Sequence, residues 1–258
     1  MIMKRTFLAY LLSLTACIYL ISCGTKKEES VEEPPPTNPA EHDKTLSKAQ
    51  FLERQVAIYP DAIIEMYSPL GNEKFEVGRV PFEFNIRNYP FGEGPRNFQL
   101  RMSINGDDPI SYHMPIFQRE FNTGTYRAIA YLIDQEGIAL KEFGNYVDRD
   151  FIVGESRPFP ESDEPYMVLN LPESGQTYQS DEDLIVDFLL IGGGLKEDRL
   201  KFIVSLDGQR YETQKLAPLT ITKPPQGKRI LEVKLVKEDG SELDGIFTSA
   251  RREVVIEQ

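Results

Sequence analysis

The feature that most constrains the fold of this chain is an internal repeat. The runs Phe98–Gly106 and Leu200–Gly208 share one alternation of apolar and polar residues, and each ends in a turn pair, Asn-Gly or Asp-Gly. A spacing of 102 or 103 positions also relates Gly124 to Gly227 and other points along both halves. Because separate points hold nearly one spacing, we expect two copies of one folding unit. The alternative is two unrelated β-domains with similar alternation.

Each copy has the pattern of an antiparallel β-sandwich. Short alternating segments are separated by Gly, Pro, Asn and Asp, and an alternating strand that ends in Asn-Gly or Asp-Gly leads into a hairpin. We therefore predict an all-β fold of two tandem β-sandwiches. The order of strands and turns resembles the immunoglobulin-like or fibronectin-III-like domains of exported bacterial proteins, over residues 62–154 and 166–258. Such a resemblance implies a fold more than a function.

The predicted domain boundaries follow from the repeat and from one connector. We place the first sandwich with its lead-in at 48–154, a connector at 155–165 and the second sandwich at 166–258. The connector is rich in proline and acidic residues, which predicts a stiff, exposed segment. We expect the two sandwiches to fold independently and to lie as separate beads in a short rod.

The N-terminus has the three parts of an export signal. Met1–Arg5 is basic, and Phe7–Ile21 is an apolar run shorter than the roughly 20 residues of a membrane-spanning helix. The run Leu20–Cys23 resembles the lipobox of bacterial lipoproteins, which implies removal of a signal peptide at 1–22 and lipid modification of Cys23. In such lipoproteins an Asp after the cysteine favours retention in the inner membrane, so the same resemblance, with Gly24 at that position, implies the outer membrane of a Gram-negative bacterium. The alternatives are a plain signal peptide with a chance cysteine, or an uncleaved anchor.

The segment 23–47 is predicted to be a lipidated, disordered tether. It is acidic and rich in proline and contains almost no large apolar side chain, so it cannot bury enough surface to offset its chain entropy. Lys26–Glu29 resembles the short export tag of surface lipoproteins, or is simply the charged start of the tether. The domains are therefore expected to be held off the membrane and exposed at the cell surface.

Composition argues against several functional classes. The formal net charge of −12 repels nucleic acid, so we expect no nucleic-acid partner. Both cysteines, Cys17 and Cys23, precede the sandwiches, which leaves no thiolate metal site. His113 lies beside Ser111 in sequence, which is not the arrangement of a catalytic triad. The carboxylate clusters lack the spacing of a metal-binding loop. We predict no catalytic site, no metal and no cofactor.

Aromatic residues of the first copy are the candidate ligand contacts. Tyr89 and Phe91 lie in a loop where the second copy has the glycine run 192–194, so these aromatics are not part of the shared pattern. Tyr112 and Phe117 are expected at a nearby edge. Exposed aromatic side chains stack on sugars or bind proteins, so a glycan or an envelope protein is the expected partner. The alternative is that the loop aromatics cover the end of their own sandwich.

These features predict a membrane-anchored, non-catalytic binding or spacer lipoprotein of the cell envelope, acting in adhesion or in glycan or protein binding. One alternative is a periplasm-facing, chaperone-like lipoprotein that assists envelope assembly. A third reading is an enzyme or a hydrolase accessory protein.

Overall fold

A computed structural model describes residues 49–55, 59–92 and 99–257, and this part of the chain consists of strands, turns and loops. The described residues include no helix, and hence none long and apolar enough to cross a membrane. The predicted signal peptide at 1–22, Cys23 and the predicted tether at 23–47 lie outside the described residues.

The first sandwich contains eight strands in two facing sheets. They are β2 (Ile63–Ser68), β3 (Glu73–Phe75), β4 (Gly78–Arg87), β5 (Gln99–Ile104), β6 (Ile110–Tyr112), β7 (Ile116–Phe121), β8 (Gly124–Ile133) and β9 (Tyr146–Val153). One sheet has the order β2-β4-β7 and the other the order β3-β9-β8-β5-β6. All pairs are antiparallel except β3 with β9. The fold follows from alternation, since Val80, Phe82 and Phe84 of β4 are buried between the sheets.

The second sandwich repeats this arrangement. Its strands are β10 (Tyr166–Leu171), β11 (Thr177–Gln179), β12 (Leu184–Ile191), β13 (Leu200–Leu206), β14 (Gln209–Thr213), β15 (Leu219–Thr222), β16 (Gly227–Lys237) and β17 (Ser249–Glu257). The sheet β11-β17-β16-β13-β14 matches the five-stranded sheet of the first sandwich strand for strand. Two sheets with these crossovers form an immunoglobulin-like sandwich. The predicted all-β fold of two tandem sandwiches is confirmed.

The hairpin turns explain the sequence motif that revealed the repeat. Asn105 and Gly106 have φ of 53° and 78°, and Asp207 and Gly208 have φ of 47° and 87°. A two-residue turn with positive φ at both positions matches the twist of the flanking strands and favours Asn-Gly or Asp-Gly.

A strand from before the first sandwich completes the second. Strand β1 (Gln50–Glu53) pairs antiparallel with β15, which gives the second four-stranded sheet the order β1-β15-β12-β10. The lead-in assigned to the first sandwich at 48–154 therefore contributes its strand to the other one. Backbone pairing of this kind depends on an unpaired edge far away in sequence, which the local pattern of residues 50–53 does not reveal.

The two sandwiches share a third apolar cluster, so the expectation of separate beads in a rod is wrong. The described residues of both sandwiches belong to one compact unit. Buried side chains of β8, β10 and β12 meet between the sandwiches; they are Ile129, Tyr131, Ile133, Tyr166, Val168, Leu189 and Ile191, joined by Ala139 of the loop after β8. These strands carry apolar residues on both faces, as is common for strands buried on both sides, and two polar exceptions, Asn170 and Asp187, are fully buried.

Candidate binding surfaces

Tyr89 is part of the first core and is not a free ligand contact. Its ring packs against that core and meets the ring of Tyr59 edge to face at 6.1 Å. Its hydroxyl donates hydrogen bonds to the backbone oxygens of Ile133 and, at 3.2 Å, Gln99. Burial raises the pKa of the Tyr89 phenol above its ordinary value.

Phe91 also packs against the first core, and its backbone N–H donates to the carbonyl of Tyr89 at 2.8 Å. The two loop aromatics therefore cover the end of their own sandwich, which was the alternative reading of this loop. An aromatic ring beside an open core gains free energy by burying its surface there. The role of Tyr89 and Phe91 in ligand binding stays a prediction.

Tyr112 and Phe117 lie together on the other predicted surface. Their rings stack with centroids 3.7 Å apart and an angle of 8° between planes. Phe117 also stacks on Phe82 and Phe84, at 5.4 and 5.9 Å. Burial raises the pKa of Tyr112, and the charge and hydrogen bond of Arg119 oppose that shift. The stack joins β6 of one sheet to β7 of the other, and its role in binding stays a prediction.

Strand β7 presents an unpaired edge. It is the last strand of the sheet β2-β4-β7, and within the described part of the chain no strand pairs with its outer side. The Phe84 N–H donates a hydrogen bond to Pro115 O at 2.8 Å. This bond fixes the residues of β7 whose backbone groups form hydrogen bonds with β4. Because bonding alternates along an antiparallel ladder, the peptide groups of Ile116, Gln118 and Glu120 point away from β4. Pro81, which has no N–H to donate, lies opposite Gln118 in agreement with this pattern.

We call the outer side of β7 together with the adjoining side of β6 the open edge. Three apolar side chains there are exposed: Ile110 by 46%, Met114 by 65% and Ile116 by 61%. Ile110 lies opposite Met102, which is fully buried, so Ile110 points between the two sheets and is nevertheless half exposed. The stacked rings of Tyr112 and Phe117 close part of this edge, and Ile110 beside them stays half exposed.

Phe143 is a second exposed aromatic side chain, and sequence reasoning missed it. It lies in the loop between β8 and β9 and is 95% exposed. The loop is held by buried Asn145, which donates to Ala62 O at 2.8 Å and to Tyr59 O at 3.2 Å. A lone aromatic in the polar run Lys141–Gly144 was the available signal. Shallow depressions on either side of Phe143 share Ile63 in their walls.

A polar network lies at the centre of the contact between the sandwiches. Fully buried Asp187 accepts hydrogen bonds from Lys141 Nζ at 2.6 Å, Ala139 N at 2.8 Å and Asn170 Nδ2 at 2.7 Å. Asn170 in turn accepts from the Tyr131 hydroxyl at 2.9 Å. Lys141, Ala139 and Tyr131 belong to the first sandwich and the other two to the second. The side chains of Asp187, Asn170 and Lys141 all have hydrogen-bond partners within the protein. A buried network whose polar groups are satisfied is rigid, so it is suited to joining the sandwiches.

Arginines extend this junction on either side. Arg101 donates to Asn170 Oδ1 and to Glu173 Oε1, both at 3.0 Å. Arg127 donates to both oxygens of Asp150 at 2.6 and 2.7 Å, and these bonds raise its pKa. The Arg127 guanidinium lies 4.7 Å from the centre of the Tyr166 ring, within range of a cation–π contact. Arg101 and Arg127 thus have structural partners at this junction.

The described residues contain no group of three or more His, Cys, Asp or Glu side chains that could hold a metal ion. Ser111 Oγ accepts a bond from Arg101 Nε at 3.0 Å, whereas His113 faces Gln99 at 3.5 Å. The serine and the histidine therefore contact different partners.

No family model and no curated protein matches the chain. Among solved structures it is similar to the fibronectin(III)-like modules of CbhA from Clostridium thermocellum, at 15% identity over 76% of this chain and 95% of that one, with a TM-score of 0.29. It is also similar to the FN1–FN3 domains of chicken CNTN1, at 8% identity over 73% of this chain and 69% of that one, with a TM-score of 0.25. Three N-terminal domains of the bacteriophage RB49 Hoc protein give 13% identity, coverage of 76% and 69%, and a TM-score of 0.22. Scores this low carry no argument about function, and the assignment of the fold rests on the strand order.

Proposed function

We propose that the protein is a membrane-anchored, non-catalytic binding module of the cell envelope. In this proposal the two sandwiches form one rigid head, Cys23 carries the lipid anchor, and the open edge of the first sandwich contacts an envelope partner. The observation that carries the proposal is the open edge, which combines unpaired peptide groups with exposed Ile110, Met114 and Ile116. Exposed apolar surface of this kind marks interaction sites.

The shared cluster and the network at Asp187 support the rigid head. A head that does not bend holds its binding surface at one orientation, and less entropy is then lost on binding. A pure spacer needs rigidity but has no use for an uncovered apolar edge.

The anchor is tested by replacing Cys23 with Ala and fractionating cells. We expect the variant to lose lipid modification and to leave the membrane fraction without detergent. Retention of a processed, detergent-requiring form would reject the anchor.

The binding surface is tested with the full-length mature protein and purified envelope fractions. We expect Ile110→Asp with Ile116→Asp to reduce sedimentation with the envelope strongly, when the lipid anchor is removed by Cys23→Ala in every sample. The matched control is Leu52→Asp, because Leu52 is 51% exposed on β1 and lies outside the open edge. Equal binding by all three proteins would reject the open edge as the contact surface.

The open edge also supports the second candidate, a chaperone-like protein that faces the periplasm, because an unpaired strand can accept a strand from an unfolded envelope protein. Protease treatment of intact cells separates the two. Digestion of the head supports surface exposure, and protection until the outer membrane is opened supports the periplasmic alternative.

A further inference from the structure

We propose that the outer side of β7 is a strand-addition site that accepts an extended segment of another protein chain. The segment carries an aromatic residue followed two positions later by an acidic residue, both on the side facing between the sheets. This proposal rests on the binding function proposed above and names the chemistry of the partner. Strand addition supplies affinity through backbone hydrogen bonds and specificity through alternate side chains.

The second sandwich shows what such a segment looks like when it is bound. Strand β15 of the second sandwich corresponds to β7 of the first. Strand β7 is the last strand of its sheet, whereas β15 is followed by β1, which pairs along its outer side. Phe51 of β1 stacks on Tyr211 of β14 at 5.5 Å with 7° between planes. Two residues further on, Glu53 forms an ion pair with Lys215 at 2.7 Å. The Phe51-Leu52-Glu53 pattern is thus the protein's own example of a strand added at this edge.

The same place in the first sandwich is uncovered. Tyr211 lies opposite Val204 on β13, and Ile110 lies opposite Met102 on β5. Val204 and Met102 are both fully buried, so Tyr211 and Ile110 occupy the same inward position in the two copies. Phe51 covers Tyr211, while 46% of Ile110 is exposed.

The inward charge on β7 selects the acidic residue. Arg119 lies opposite the fully buried Val80, so its side chain is on the inward side of the strand. It lies over the Phe121 ring at 5.5 Å and hydrogen-bonds to the Tyr112 side chain, and it forms no ion pair with any described residue. An inward charge deters wholly apolar strands, whereas a carboxylate on the added strand can pair with it. In the second sandwich the carboxylate of Glu53 pairs with a lysine close to the edge strand, Lys215 of the loop before β15.

The backbone of β7 is ready for pairing. The ladder between β4 and β7 runs from Gly78 to Glu83 without a bulge, so the outward peptide groups of Ile116, Gln118 and Glu120 are evenly spaced. The strand itself contains no proline. Natural edge strands avoid pairing by a bulge, a proline, a covering segment or an inward-pointing charge. Of these four, β7 carries an inward-pointing charge, Arg119.

Two other occupants are less suited to the edge. The chain's own tether at 23–47 has prolines at 34–36 and 39 and almost no large apolar residue, which disfavours a strand. A second copy that pairs β7 with β7 places like charges opposite each other in registers centred at Arg119 or Glu120. Pairing between two copies is therefore an outcome that the experiment must detect.

The test uses a labelled synthetic peptide with the sequence Lys48–Gln55 and the full-length mature protein carrying Cys23→Ala. We expect saturable binding in fluorescence anisotropy. Phe51→Ala or Glu53→Lys in the peptide should weaken binding by about tenfold or more, since each removes one inward contact. Methylation of the Leu52 backbone nitrogen should do the same, because Leu52 supplies a strand-pairing N–H to β15 in the protein itself. Changes confined to the peptide leave the protein's folding untouched.

The binding site is located by hydrogen exchange. Added peptide should slow exchange of the Ile116, Gln118 and Glu120 amides, and Gln118→Pro should abolish this while removing no bond to β4. Slower exchange at Thr220 and Thr222 alone would show that the peptide only displaces β1. Three results would overturn the proposal. They are that pattern of exchange, the absence of peptide binding, and concentration-dependent dimers whose β7 amides are protected without peptide. If the Gln118→Pro protein still sediments with envelope fractions, strand addition is rejected and the proposed binding function stands. If the protein without this change binds no envelope component, the proposed function itself is rejected.

Discussion

Asp187 is the buried charge on which the contact between the sandwiches most depends. Its side chain is fully buried, and that of its partner Lys141 is 10% exposed. Charges so far from water require their partners, because a lone ion in this environment is poorly solvated. The amide of Asn170 and the backbone N–H of Ala139 complete the coordination of the carboxylate.

Replacing Asp187 with Ala should reduce the free energy of unfolding by about 3–5 kcal/mol, because Lys141 remains buried without its partner. Chemical denaturation measures the loss. Asp183→Ala is the matched control, since Asp183 is exposed just before the same strand, and a change within about 0.5 kcal/mol is expected. The double change Asp187→Ala with Lys141→Met should recover part of the stability; equal losses from both single aspartate variants would contradict the assignment.

Tyr89 contributes to the stability of the first sandwich because its ring packs against the core. Tyr89→Ala should cost about 2–4 kcal/mol, because a half-buried ring and its two hydrogen bonds are lost. Tyr89→Phe should cost about 1 kcal/mol, the contribution of the hydroxyl. The control is Phe143→Ala, which removes an aromatic ring that is 95% exposed and should leave the melting temperature near that of wild type. A Tyr89→Ala variant that melts like wild type would restore Tyr89 as a surface contact.

Strand β1 is the element whose position differs most from the one predicted from the sequence. It lies between the predicted tether and the first sandwich in sequence, yet it forms the outer strand of the second sandwich. Arg54 N–H donates to Pro218 O at 2.8 Å, and the alternation of the ladder then directs Leu52 and Gln50 to bond with Thr220 and Thr222. The added strand also brings Phe51 onto Tyr211.

Phe51→Ala should destabilise the second sandwich by about 1–3 kcal/mol, because its ring packs against the second core. Hydrogen exchange at the Thr220 and Thr222 amides should accelerate as β1 detaches. Leu52→Ala changes the neighbouring side chain, which is half exposed, and should affect both measurements little. Unchanged exchange in Phe51→Ala would mean that the backbone bonds alone hold the strand.

For the whole molecule, the shared cluster between the sandwiches makes unfolding a joint event. Ile129 and Tyr131 of the first sandwich and Val168 and Leu189 of the second are all buried in it. Unfolding of either sandwich alone would expose the other's half of this cluster and leave Asp187 and Lys141 without partners. We therefore expect calorimetry of the wild type to show a single cooperative transition.

Val168→Asp should separate that transition into two, because a carboxylate in the apolar contact without a partner costs several kcal/mol and weakens the coupling. Val77→Asp is the control, since Val77 is 57% exposed and lies outside the shared cluster, and it should keep one transition. Two transitions in the wild type would show that the sandwiches unfold independently despite their contact.

Local sequence patterns are enough to predict the two sandwiches, the order of their strands along the chain and the hairpin turns. These depend on local properties, namely the alternation of residues such as Val80, Phe82 and Phe84 and the positive φ that Asn105-Gly106 and Asp207-Gly208 adopt readily. Strand β8 carries apolar residues on both faces, which indicates that both faces are buried. This pattern is consistent with the shared cluster, although simple alternation does not predict it.

Three further features arise from tertiary packing: the pairing of β1, the packing of Tyr89 and Phe91 on the core, and the joining of the sandwiches through Asp187. Each of these depends on a group distant in sequence: β15 for the strand, Ile133 for the Tyr89 hydroxyl, and Lys141 for the carboxylate. An aromatic in a loop or an acid in a strand has the same local pattern whether it is exposed or buried. Its environment is set by which distant surface comes to cover it, and that is decided when the chain packs.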